Sequence, residues 1–157
     1  TVEMLSVNHF PITPAVAYLF TYKGRTALVS GDTNKSANLQ QFATGIDLLV
    51  HEALSTTMVN AMGSGALASG NLSLAKIFGD IHDYHTTPTE AAEIARNAQV
   101  GHLLYYHVVP PLVIPGSEAA WLDGVDDIFK DYTLGQDGVL FSLPANSTDI
   151  IEVDAKL

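Results

Sequence analysis

Short apolar stretches, separated by glycines, prolines and polar clusters, recur along the chain. Residues 2–7 read as a strand. Residues 18–22 and 27–30 are apolar and β-rich on either side of Lys23-Gly24-Arg25, which predicts a hairpin. A short helical pattern over 36–44 stops at Gly45, the place for a glycine just past a helix end, and 46–50 form an apolar run of buried-strand type. Small residues then dominate 55–70, with Gly63, Gly65 and Gly70, and predict a mobile loop or lid with at most a short helix at its start. A helical pattern over 72–81 leads into His82, Asp83, Tyr84 and His85. Thr87-Pro88-Thr89-Glu90 has the form of a capping box, with Thr87 as N-cap, Pro88 in the first helical position and Glu90 two residues on, so a helix to Ala98 is expected. Residues 102–106 read as another buried strand, and Pro110-Pro111 ends regular structure. A helix over 117–132 and two closing strands over 138–143 and 149–153 complete the pattern.

Two strands followed by alternating strands and helices make an α/β chain, and its polar residues fall where strands end. In such folds, sites lie there. The 157 residues are one domain's worth of chain, 47% hydrophobic and 15% charged, which predicts a packed core rather than disorder. No apolar stretch approaches the roughly 20 residues of a membrane helix, so a soluble protein with no membrane partner is expected, with its compartment open. Seventeen acidic against seven basic side chains give a formal charge of −10, which disfavours a phosphate backbone as partner. There are no cysteines, so any metal must sit on His, Asp or Glu.

Four of the six histidines stand at strand ends or loop starts. His9 follows the strand over 2–7, His51 the run over 46–50 and His107 the strand over 102–106, while Asp32 follows 27–30. Neighbouring strands bring such ends together along one sheet edge. Imidazole and carboxylate are donors that Zn²⁺, Mn²⁺ or Fe²⁺ accept, so the pattern reads as a His/Asp metal site. Bland readings stand beside it. Asp32 after a glycine could be a turn residue, His51-Glu52 a satisfied strand-end pair, and His85 a helix cap. His82 could pair with His85 on a metal or simply end a helix, whereas His102 reads as structural. Trp121, Val125, Ile128 and Phe129 read as core or as cleft wall, and the Asp123, Asp126, Asp127 cluster as a solvated face.

Five ordered motifs, Asn8-His9-Phe10-Pro11, Ser30-Gly31-Asp32-Thr33, Asp47 through Ala53, His85-Thr86-Thr87 before Glu90-Ala91-Ala92, and Tyr106-His107, together resemble the second half of the metallo-β-lactamase fold superfamily in its ribonuclease Z-like branch. The resemblance implies the carboxyl-terminal half of an αββα fold, a mixed sheet with helices on its outer face. It implies His9 as a terminal metal ligand, Asp32 as a bridging carboxylate that takes part in catalysis, and His107 as the last ligand of a second ion. It further implies His85 as proton donor to the leaving oxygen, Glu52 behind it, and His51, Thr33 and Thr87 in support. At Leu54 the chain departs from the branch, which often has threonine there.

The superfamily's H-x-H-x-D-H signature, which lies in the first half of the fold, does not occur in these residues. Residues 1–157 are therefore expected to be one unit whose amino-terminal half is missing. Lacking that half, the unit should bind metal weakly and self-associate through the surface it leaves uncovered. The complete protein is expected to be a metal-dependent hydrolase with two divalent ions, zinc foremost and manganese or iron as alternatives. A phosphodiesterase is expected first, with an arylsulfatase-like or lactone ester hydrolase as alternative and a non-catalytic binding or assembly module as a third reading. Only 23 positions separate His9 from Asp32, too few for the basic arm that many bacterial ribonuclease Z enzymes insert there. With the charge, this places small ester or phosphodiester substrates ahead of RNA.

Overall fold

The computed structural model describes residues 1–154. Strand β1 (Val2–His9) runs antiparallel to β2 (Ile12–Tyr22), which turns into β3 (Arg25–Val29). The turn residues Lys23 and Gly24 both have positive φ, 49° and 77°, the backbone of a two-residue turn whose twist matches the strands it joins. β3, β4 (Leu48–Leu54), β5 (His102–Val109) and β6 (Tyr132–Leu134) pair in parallel, so the sheet, ordered β1-β2-β3-β4-β5-β6, is mixed. β1 and β3 through β6 all end at the same edge. β7 (Val139–Ser142) and β8 (Ile151–Asp154) form a separate hairpin. The helices are α1 (Ala37–Phe42), α2 (Thr56–Ala68), α3 (Leu72–Asp80), α4 (Pro88–Ala98) and α5 (Ser117–Trp121), with a 3-10 turn over Ile81–Tyr84 between α3 and α4.

Alternation along the strands sends successive side chains to opposite faces. One face is buried beneath helices: Leu5, Ala17, Leu28, Leu49 and Leu103 are at most 4% exposed, packed with the alanines and Ile94 of α4. Tyr105 belongs to this face, and its hydroxyl donates to the Pro88 carbonyl at 2.7 Å, pinning the start of α4. The capping box there is formed as the sequence predicts, with Thr87 and Glu90 satisfying each other's backbone amides. The opposite face carries Val2, Met4, Tyr18 and Phe20, which are 40–68% exposed.

Three sequence expectations are corrected. Residues 55–70 are not a loop: α2 spans 13 of them, capped by Ser55, and packs against α3. Gly63 serves that packing, since a Cβ there would lie 3.3 Å from Cβ of Phe78. Residues 117–132 are not one helix, because Gly124 with φ +80° breaks the pattern after α5 and successive turns lead into β6, a strand the periodicity does not announce. Trp121 and Val125 are nevertheless in the core, with Ile128 and Phe129 against it. Finally, β2 begins at Ile12 rather than residue 18, masked by Pro14 near the point where the β1–β2 register shifts.

Candidate metal centre

The edge where β1, β3, β4 and β5 end gathers the polar residues. Gly31 makes the turn that follows β3: its φ is +60°, and a Cβ would stand 2.4 Å from the Val16 carbonyl oxygen, so no side chain fits. Asp32 comes next. Thr33 then ties this turn to the end of β1, its hydroxyl receiving the Asn8 amide at 3.2 Å, while the Asn34 amide donates to the Asn8 carbonyl at 2.9 Å. His9 is thereby fixed beside the turn. Its Nδ1 lies 2.8 Å from the Tyr84 carbonyl oxygen, which can only accept, so Nδ1 carries the proton and the Nε2 lone pair is left free. That is how metal-bound histidines are usually oriented.

Glu52 lies beneath the edge, fully buried. One carboxylate oxygen accepts from the Thr33 and Thr86 amides, each at 3.1 Å, and the other faces His85 Nδ1 at 3.1 Å. Two elements are thus keyed to one side chain, the β3 turn and the segment entering α4. Thr86, itself buried, closes the link by donating its hydroxyl to the Thr33 carbonyl at 2.6 Å. The His85 ring stands between those of His9 and His107, with centroids 5.1 and 5.7 Å away.

His107 owes its position to a bulge. Glu52 pairs with Tyr106 and Ala53 with Val108, so His107 is the extra residue of β5, and its φ of 45° turns the backbone locally left-handed. Its Nδ1 is 3.0 Å from Oδ1 of Asp32, and both side chains are more than 40% exposed, in contrast to the buried Glu52. Ligand atoms of His9, Asp32 and His85 lie within 4.8 Å of one another, as do those of Glu52, His85 and His107. Glu52 is already engaged by two amides and an imidazole. The side chains that could hold a divalent cation are therefore His9, Asp32, His85 and His107: the first three lie together, and His107 joins them through Asp32 and His85, an N/O set of the kind that zinc, manganese or iron accepts.

His51 and Thr87 stand apart from this cluster. His51 points to the helix-covered face, where its Nδ1 donates to the Glu52 carbonyl at 2.7 Å; burial holds it below its ordinary pKa against the pull of that bond and of Glu52 and Glu90. Thr87 is engaged in capping α4. His102 Nε2 meets the Thr133 hydroxyl at 3.0 Å. Both ring nitrogens of His82 are buried without a hydrogen-bond partner among the described residues. Sequence reasoning gave no role to Ser30, Tyr84, Thr86 or Tyr106. Ser30 and Thr86 sat inside its motifs, and Tyr106 sat beside His107 in a run where one of two adjacent tyrosines must face the site.

No protein-family model matches the chain. Over 121 residues, 77% of its length, the chain is 31% identical to ribonuclease Z of Mycobacterium tuberculosis H37Rv and equally to that of Mycolicibacterium paratuberculosis. It spans 40% and 39% of those two proteins. Among solved structures, the metallo-β-lactamase fold protein YhfI from Bacillus subtilis superposes with a TM-score of 0.58 at 19% identity, covering 83% of this chain and 44% of YhfI. A long form of RNase Z from yeast gives 0.55 at 16% identity, covering 99% of this chain and 17% of the yeast protein.

Proposed function

We propose that this chain, a metallo-β-lactamase-fold chain of ribonuclease Z-like kind, is the carboxyl-terminal half of a metal-dependent phosphodiester hydrolase. The observation that carries the reading is the meeting of His9, Asp32, His85 and His107 at one sheet edge, over a buried carboxylate that holds His85. His9, Asp32 and His107 would hold two divalent ions together with ligands from an amino-terminal half, since three donors cannot complete two four-coordinate sites. Once bound, such ions supply a water of lowered pKa and positive charge for a phosphate oxygen. The open apolar face supports the same division, because a second layer would cover it.

The chain's own residues handle the proton. His85 Nδ1–H points at Glu52, so the opposite nitrogen, Nε2, is the one left to carry a proton to the leaving oxygen. The Glu52 carboxylate holds the His85 ring in place, and the Thr33 and Thr86 amides keep that carboxylate from swinging away. His51 and Thr87 act one layer further out, holding the Glu52 backbone and the start of α4.

Charge and the short His9–Asp32 interval set RNA behind small esters, but the ribonuclease Z relatives reverse that order, and RNA is the substrate class we favour. Within this chain Arg25 pairs with Asp47 and Lys35 with Glu93, so cations for a phosphate backbone must come largely from the rest of the protein. The complete protein, loaded with zinc or manganese, should cleave bis-p-nitrophenyl phosphate and a precursor tRNA, and leave a sulfate ester and a lactone nearly untouched. Two bound metals with phosphodiesterase activity at background would overturn the proposal.

A further inference from the structure

The turn that follows β6 stands beside the metal edge. β6 ends at Leu134, level with Tyr105, and the Gly135 amide carries the pairing one step further by donating to the Tyr105 carbonyl at 2.9 Å. A Cβ on Gly135 would lie 2.4 Å from that carbonyl oxygen, so only glycine lets the chain pass so close to β5. The chain then turns back into β7, with the Val139 amide donating to the Gln136 carbonyl at 3.1 Å and Gly138 at φ +90°. Gln136 and Asp137 are thus exposed side chains on a short turn fastened to β5 two residues before His107.

Between this turn and β5 lies a cleft of about 430 Å³, which His107 lines together with Gln136 and Asp137. Its size falls within the roughly 300–1,000 Å³ of small-molecule sites. Leu104, Tyr106, Val108 and Val139, all partly buried, give it an apolar wall. Among the described residues no lysine or arginine lines it, and its one carboxylate is that of Asp137.

Charge decides what this cleft suits. A continuing phosphate backbone needs cations along its path; here it would run onto a carboxylate, and like charges brought together disfavour binding. An uncharged group with a flat ring and hydroxyls meets no such cost, since the ring can lie on the apolar wall and a hydroxyl can donate to Asp137. In a nucleic-acid phosphodiester, that group is a terminal nucleoside.

We propose that the cleft beside His107 is a subsite for the last nucleoside of a nucleic-acid chain, with Asp137 at its rim turning away a further phosphate. This rests on the phosphodiester reading above and narrows it: the bond favoured for cleavage lies next to a chain end that carries no phosphate.

The test uses the complete, metal-loaded protein and a uridine dinucleotide with a single phosphodiester bond, supplied with both ends free, with a 5′-phosphate or with a 3′-phosphate. In wild type, one of the two terminal phosphates should lower kcat/KM by about tenfold. Asp137→Asn should shrink that loss to within about twofold, with a thermal midpoint near wild type, because the side chain is exposed. A wild type indifferent to both phosphates overturns the proposal. So does a penalty that Asp137→Asn leaves in place, or one that it relieves equally at both ends, as long-range charge alone would do. Cleavage of bis-p-nitrophenyl phosphate but of none of the dinucleotides overturns the subsite and leaves the phosphodiester reading standing; cleavage of neither means that the reading itself has failed and the subsite with it.

Discussion

The two faces of the six-stranded sheet come from the same strands, yet they do different work. In β4, Leu49 and His51 turn to the helices and are fully buried, while Val50 and Glu52, alternating with them, turn to the other side. The helix-covered face is closed and apolar from Leu5 to Tyr105. The opposite face runs from exposed Met4 and Tyr18 at one side to the cluster around Glu52 and His107. Folding is driven by the first face. On the function proposed above, chemistry and docking would belong to the second, which is apolar over most of its area and polar at one edge.

Substitutions should separate the faces. The largest effect falls on activity: His85→Ala in the complete, metal-loaded protein should lower phosphodiesterase kcat by about 10²–10⁴, with a circular-dichroism melt close to wild type. A melt that collapses with the rate would mean that His85 serves the fold. On the covered face the pattern inverts. Leu103→Ala should cost about 2–5 kcal/mol in urea unfolding by leaving a cavity, while activity per folded molecule stays near wild type.

Next in size is the Arg25–Asp47 pair, far from the site, where a nearly buried guanidinium meets a carboxylate at 2.9 Å. Burial alone would raise the Asp47 pKa, but the Thr26 amide and hydroxyl and the Arg25 charge outweigh it, so the carboxyl is held below its ordinary value. A lowered carboxyl stabilises the fold in full above about pH 4 and loses that contribution as pH falls through its depressed value. Asp47→Asn should therefore cost roughly 1–3 kcal/mol at pH 7 and flatten the dependence of stability on pH below 4; an unchanged acid slope would rule the pair out as its source. The smallest stability effect should come from the open face. Met4→Lys with Tyr18→Lys in the 157-residue chain should change stability by less than about 1 kcal/mol. It should also convert self-associated chain to monomer in sedimentation velocity. A wild-type chain that is already monomeric contradicts the expectation that this face seeks a cover.

What the sequence discloses follows the same division. The edge is legible at His9 and Asp32, where an apolar run stops at a histidine or aspartate, and the motif resemblance orders them; His107 is marked in the same way, but β5 does not end there as expected and runs on to Val109. The α4 start is legible because a capping box is a local device, complete within four residues. α2 is not, since its glycines serve contact with α3 rather than a turn, a purpose visible only once Phe78 is seen against Gly63. Nor is the bulge at His107, because the extra residue arises from pairing with β4 and leaves no mark in β5 alone. Tyr106 is hidden for the same reason: which face it takes depends on a register that tertiary pairing decides.

The central claim is that the open edge of this chain supplies part of a metal centre. The most direct test is to count zinc bound to the complete protein, by mass spectrometry under native conditions, for wild type and Asp32→Ala. Two ions on wild type and at least one lost from Asp32→Ala, with the fold intact, is the predicted result. Equal zinc on both proteins would contradict it.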